Sequence, residues 1–341
     1  MAPVKAAPKK GARSKREKHG LLSVLGAINW DISLFEDRFA RPGEEMAVRR
    51  VEEFSGGKGG NVSVAAARIL GPGRAAFVGA LGSDEVCDKQ LAELKAEGVV
   101  VDGVIRIPGV QSGRAYILID SRGRKTIHTH FGANERVSPQ HVRTGGAAKT
   151  ISRSEIVVIM DPPTDVSAAA AKLAKKSGAK VLYSPGVRTQ EGVASLEAVL
   201  KNADFLVLDR IELMNIYKAD DEERAVQIAR ERHPRMGVVA TLGSEGCIVA
   251  ADGVVGRASG FDASELGGTV VNTTGCGDAF LGVFASCLMM GRRPLESANW
   301  ANLAGAIKAT KVETRGSPAK RELESVMKRV DKSRRSALGF R

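Results

Sequence analysis

Apolar and polar positions recur along this chain with two alternating periods, and the alternation predicts its architecture. Residues 21–28 form a short, almost wholly apolar run, read as a buried strand ending in Asn29-Trp30-Asp31. Residues 48–54 alternate loosely, as a half-exposed strand does, and 62–70 read as an Ala-rich buried helix. A strand at 75–80 and a helix at 84–96 follow. Residues 101–130 hold three strand-like pieces, with Ser121-Arg122-Gly123 as a hairpin turn. Beyond them, strands at 155–160, 181–184, 205–208 and 238–242 alternate with helices at 166–176, 191–200, 212–217 and 222–232. A hairpin over 246–258 precedes helices at 278–290, 295–309 and 318–330. This order predicts an α/β fold with a mostly parallel central sheet covered by helices on both faces. The charged strands near 32–55 and 101–130 do not suit the interior of such a sheet. They are expected to form a small β-sheet lid on a body spanning 21–330.

Composition narrows the partners. Hydrophobic residues make up 43% of the 341, enough for a sizeable core, and no apolar run approaches a membrane span. The four cysteines, Cys87, Cys247, Cys276 and Cys287, lack metal-type spacing and suit a reducing, cytoplasmic setting. The net charge of +12 is unevenly placed. Lys5, Lys9, Lys10, Arg13, Lys15, Arg16 and Lys18 stand against Glu17 alone, so residues 1–20 read as a basic, disordered tail. A solvated extension explains that tail, and weak contact with a polyanion is the alternative. Residues 331–341 form a second basic tail. Aromatics are only 4%, so the body is not read as a nucleic-acid surface.

The chemistry concentrates in Asn272-Thr-Thr-Gly275-Cys276-Gly277-Asp278, which runs straight into the apolar segment 279–290. A glycine turn feeding a helix N-terminus offers free amides and a favourable dipole to an anion. An acid in that first turn can take a proton from an attacking hydroxyl, which points to phosphoryl transfer. Simple helix capping is the competing reading. Gly56-Gly57-Lys58-Gly59-Gly60-Asn61 joins a strand to a helix; it allows close ligand approach, or is only a tight turn. Asp209 and Glu212 lie past a strand end, where Glu212 could hold hydrated Mg2+ or both acids could serve the helix N-terminus. Thr241, Gly243, Ser244 and Gly246 could border a nucleotide or form an ordinary hairpin. No P-loop is present, and Gly71-Pro72-Gly73 precedes a strand, the wrong order for a dinucleotide fingerprint. His128 and His130 share one strand face but have no further ligands nearby.

In order and spacing these segments resemble the ribokinase-like (PfkB) sugar and nucleoside kinases over roughly residues 21–320. Gly56–Asn61 is similar to that family's first signature, and Asn272–Asp278 with Ala279-Phe280 to its second. The resemblance implies ATP and Mg2+ as cofactors and a sugar or nucleoside as acceptor. It implies Asp278 as general base, and the amides of Gly275, Cys276 and Gly277 as the anion hole. It assigns Asn29, Asp31, Gly57, Lys58 and Asn61 to the sugar. Thr241, Gly243, Ser244, Gly246, Asp209 and Asn302 fall to the nucleotide side, with Glu212 near the metal through water. A homodimer through the lid is also implied.

Three positions depart from the family's pattern. Asn272 stands where an Asp helps hold a monovalent cation, which puts K+ activation in doubt. Asp209 replaces an Asn, and Met160-Asp161-Pro162-Pro163 stands near a usual sugar-binding Glu. The acceptor therefore stays open between a free pentose or hexose, a sugar phosphate met by Arg114, and a nucleoside. A non-catalytic sugar or nucleotide sensor is the alternative from another class.

Overall fold

In a computed structural model, residues 20–330 are described, and they form thirteen strands and eleven helices. Both basic tails, 1–19 and 331–341, lie outside the described residues. The N-terminal half runs β1 (Leu22–Gly26), β2 (Asn29–Phe35), β3 (Arg50–Gly56), α1 (Lys58–Leu70), β4 (Ala75–Leu81), α2 (Glu85–Ala96), β5 (Val100–Arg106), β6 (Gly113–Ile119) and β7 (Lys125–His130). The middle runs α3 (Pro139–Arg143), α4 (Gly145–Arg153), β8 (Ile156–Met160), α5 (Thr164–Lys176), β9 (Lys180–Ser184), α6 (Gly192–Leu200), β10 (Phe205–Asp209), α7 (Arg210–Tyr217) and α8 (Glu222–Arg232). It ends with β11 (Gly237–Thr241), β12 (Gly246–Ala251), β13 (Val254–Ser259), α9 (Cys276–Met289), α10 (Pro294–Ala309) and α11 (Lys320–Arg329).

Nine strands form one sheet in the order β13-β12-β11-β10-β9-β8-β1-β4-β5. All its pairings are parallel except those of β12, which is antiparallel to β11 and β13. β1, β4 and β8 are buried along their whole length, which explains their continuous apolar runs. Two apolar clusters cover opposite faces of the sheet, one drawing on α1, α9 and α10 and the other on α5, α6 and α8. From β1 the chain builds outward through β4 and β5, then returns to the other side of β1 with β8. The order therefore reverses at β1 and β8, and the crevice at their C-terminal ends is where such sheets place ligands.

The other four strands form a separate sheet, β3-β2-β6-β7, beside that crevice. It differs from the expected lid in one respect: β5 pairs with β4 at the edge of the large sheet and does not join the lid. Asn29 and Asp31 also sit in β2 of the lid, since β1 stops at Gly26. Residues 139–153 form two helices that the hydrophobic pattern had passed over.

Candidate active site

The glycine-rich segment proves to be the first turn of a helix: α1 begins at Lys58. Gly59 is required there, because a Cβ at this position would lie 2.7 Å from the Gly26 carbonyl carbon at the end of β1. The helix N-terminus is thus pressed against the sheet's switch point. Lys58 reaches across it, its Nζ 2.5 Å from Asp161 Oδ2. Asp161 follows β8 with a left-handed backbone, φ 63°, and also accepts from the Val187 amide at 3.1 Å. An Asp tolerates this region better than most side chains, and strain of this kind gathers at ligand sites. A cavity at this point is lined by Asn29, Lys58, Asn134, Asp161 and Arg188. Asn134 Nδ2 donates to Asn29 Oδ1 at 3.0 Å, and Asn134 Oδ1 accepts from Ile28 N at 3.1 Å, which fixes the junction between β1 and the lid.

Beside this cavity lies a buried group of charges. Asn61 Nδ2 donates to Asp278 Oδ2 at 2.8 Å, joining the two glycine segments across 217 residues of sequence. Burial lifts the Asp278 pKa to about 6, against the pull of the Asn61 hydrogen bond and the Lys58 charge. Asp31 is raised to about 7, first by burial; the Arg315 charge opposes the rise and that of Asp278 adds to it. Arg315 is itself buried and donates to Asn61 Oδ1, Gly56 O and Gln90 Oε1 at 3.3, 2.9 and 3.3 Å. Two acids held near neutrality beside a fixed cation form a site able to accept and return a proton.

Asp278 sits in the first turn of α9, whose N-cap Gly275 has φ 87°. Only glycine adopts that conformation freely, and a Cβ there would lie 2.2 Å from Thr314 O. The Cys276 amide donates to Thr273 O at 3.2 Å. Among the described residues, the Gly275 and Gly277 amides have no backbone acceptor. The expected three-amide hole is therefore reduced to two open amides, with Cys276 already engaged in its turn.

A second cavity, about 350 Å³, opens on the other side of this turn. Cys276 and Gly277 line it together with Thr241, Gly243, Ser244, Gly246 and Asn302. These residues come from the end of β11, the β11–β12 connection and α10. Asn302 also has a structural tie: its Nδ2 donates to Ala258 O at 2.9 Å and links α10 to β13. Asp209 and Glu212 also serve locally. Glu212 N donates to Asp209 Oδ1 at 2.8 Å and Asp209 N to Glu212 Oε2 at 3.2 Å, a reciprocal capping box on α7. Glu212 remains half-buried; its pKa is raised by burial and by Asp209, and it lies within the electrostatic reach of Lys58 and Asp161. Among the described residues no three His, Cys, Asp or Glu side chains converge as a metal cage. An oxygen donor such as Glu212 fits Mg2+ bound mainly by water and phosphate oxygens.

Asn134, Asp161, Gln90 and Arg315 were not named in advance as site residues. Their partners are distant in sequence, and no local pattern marks them. Arg114, considered for a phosphate, pairs instead with Asp84 at 3.4 Å. Among the described residues, no helix is long and apolar enough to cross a membrane, and the four cysteines are free thiols.

This geometry has close parallels. Residues 20–321 match the pattern of the pfkB family carbohydrate kinases. The chain is 28% identical to the ribokinase of Haemophilus influenzae, covering 85% of this chain and 92% of that one. It is 27% identical to the ATP-dependent ribose-1-phosphate kinase of Halopiger xanaduensis, covering 86% and 93%. The structure of Arabidopsis thaliana ribokinase complexed with ribose and ATP superposes with a TM-score of 0.79 at 25% identity, over 90% of this chain and 98% of that one. The chain is a carbohydrate kinase and belongs to the pfkB family.

Proposed function

We propose that this kinase transfers the γ-phosphoryl group of Mg-ATP to a hydroxyl of a small neutral sugar, ribose or a close relative. The observation that carries the reading is the position of Asp278. Its helix N-terminus lines the cavity shared with Thr241 and Gly246, and its partner Asn61 belongs to the helix that carries Lys58 into the other cavity. The acceptor hydroxyl lies against Asp278 and gives it the proton. The hydroxyl oxygen bonds to the γ-phosphorus as the bond to the β-phosphate oxygen breaks, and ADP leaves. The Gly275 and Gly277 amides meet the charge that builds on the transferring group. Glu212 would hold Mg2+ through water, and the ion would supply charge neutralisation on the phosphate oxygens. Asp31, Asn29 and Lys58 orient the sugar, and the lid excludes water that would otherwise consume ATP.

A neutral acceptor is favoured because the cations near the sugar cavity are already partnered. Lys58 has Asp161, Arg188 has Glu191 at 3.4 Å, and Arg114 has Asp84. Two features support a second reading, a sugar phosphate: Arg188 Nε and Arg114 Nη1 are buried without a hydrogen-bond partner. The test is ADP release with pentoses, hexoses, their phosphates and nucleosides. A neutral pentose should give the highest kcat/KM. ADP formation only with phosphorylated sugars supports the second reading, and no acceptor-dependent ADP formation at all removes both. Val51 and Tyr116 share a lid face and are 54% and 38% exposed, which fits a lid-to-lid homodimer. A monomeric mass by light scattering at assay concentration contradicts that dimer.

A further inference from the structure

We propose that Lys308 is a built-in cation that holds the phosphate-binding turn in shape, a positioning residue for phosphoryl transfer. The proposal rests on the kinase reading above. Lys308 lies near the end of α10 and is 0% exposed, one of the largest fully buried side chains of the protein. A buried ammonium is costly unless it is matched by polar partners. Here the partners are carbonyl oxygens: Nζ donates to Asn272 O at 2.8 Å and to Lys311 O at 3.3 Å. Among the described residues it forms no ion pair, and the charges of Glu313 and Asp278 act on it only from farther away.

Those carbonyls belong to the two segments that meet behind the anion turn. One is 272–275, which leads into α9, and the other is 309–316, which leaves α10. Asn272 ties the same segments with its side chain. Its Nδ2 donates to Val312 O at 2.8 Å, while its Oδ1 accepts from Thr274 N at 3.0 Å. Lys308 fills the space behind Gly275, where an added Cβ would come within 3.4 Å of its Cε. A cationic side chain, its pKa lowered by burial, therefore stands directly behind Gly275, whose amide would face the transferring phosphoryl group. It orients the peptide dipoles of the turn before substrate arrives, and a preorganised charge of this kind costs no reorganisation during reaction. The influence also reaches the base, since the Lys308 charge is among those that draw the Asp278 pKa down.

Removing the side chain leaves a hole lined by two carbonyl oxygens, suited to a small monovalent cation. The experiment compares wild type with Lys308→Ala, and with Lys308→Met as a better-packed variant. All are assayed in tetramethylammonium chloride, then with K+, NH4+ or methylammonium at constant ionic strength. Wild type should be indifferent to these ions. The variants should lose about 100-fold in kcat with sugar KM changed less than about threefold, and small cations should restore about tenfold or more of the lost rate. A wild-type requirement for K+, a variant within about threefold of wild type, or a loss that no small cation repairs overturns the proposal. If both variants fail to show a cooperative thermal transition, Lys308 is a folding element only and the proposal falls. If wild type phosphorylates no acceptor, the function reading fails separately. ADP affinity then decides the role of Lys308: K+ must tighten binding in the variants and leave wild type unchanged, and any other result overturns it.

Discussion

Replacing Asn61 by Leu isolates what the Asn61–Asp278 hydrogen bond does for catalysis. In the native site the carboxylate titrates at about 6, held down by the 2.8 Å bond from Asn61 Nδ2 and pushed up by burial. A hydrogen bond to a charged group contributes about 1.5–3 kcal/mol, and one pKa unit corresponds to about 1.4 kcal/mol. Losing the donor should therefore move the acid limb of kcat/KM upward by roughly one to two units, to about pH 7–8. At pH 7 the ionised fraction of the proposed base falls from about nine-tenths to between roughly a half and a tenth. The expected loss is about two- to tenfold at pH 7, shrinking towards about pH 9. Asn61 is also expected to touch the sugar. Loss of that contact multiplies the rate by one factor at every pH, so it lowers the profile without displacing its limb. Arg315 Nε loses its 3.3 Å acceptor in the same variant, so a melting curve must accompany the kinetics. The assay is coupled ADP release from about pH 5 to 9.5. A uniform loss with the limb unmoved refutes the reasoning.

Two further outcomes follow from the same turn. Burial raises Asp278 from 3.8 to about 6, so folding favours its protonated form. That stability is complete below the unfolded pKa and is lost as pH rises through about 6. Asp278→Asn cannot ionise, so it should melt a few degrees above wild type at pH 8, with a gain on the order of 2–3 kcal/mol. The gap should close towards pH 4; scanning calorimetry showing a less stable variant at pH 8 contradicts the burial argument. The two flanking glycines should respond differently to alanine. Gly275→Ala meets Thr314 O at 2.2 Å in a left-handed backbone and should lower both Tm and activity. Gly277 has nothing within 4 Å of an added Cβ, so Gly277→Ala should keep the melting temperature, while its methyl group should intrude on the proposed phosphate space and cut turnover. Equal behaviour of the two variants removes the geometric distinction.

Features carried by neighbouring residues were legible before any coordinates. A glycine turn running into an apolar segment is a local pattern, and α9 with Asp278 in its first turn matches it. The alternation of strands and helices likewise revealed the parallel sheet and its two helical layers. Misreadings arose where one pattern serves two structures. β5 is as mixed in polarity as the lid strands, yet only its register with β4 reveals that it edges the large sheet. Asp209-x-x-Glu212 suits a metal and a capping box alike; the hydrogen bonds show the capping box, and the spacing alone separates neither use from the other. Arg315 and Asp161 were hidden because their partners lie 254 and 103 residues away. Lys308 did leave a trace. It continues the stripe of Ala301 and Ala304, both fully buried, at helical spacing, and a lysine on a buried stripe must meet polar groups inside.

In the proposed mechanism, the carboxylate at 278 takes the acceptor's proton beside amides that hold the phosphoryl group. The most direct measurement is single-turnover ADP formation by Asp278→Asn, paired with calorimetric titration of Mg-ATP. A loss of about three orders of magnitude or more in rate, with ATP affinity within a few-fold of wild type, is expected. Near-normal turnover by that variant contradicts the claim, as does a loss of turnover fully accounted for by lost ATP binding.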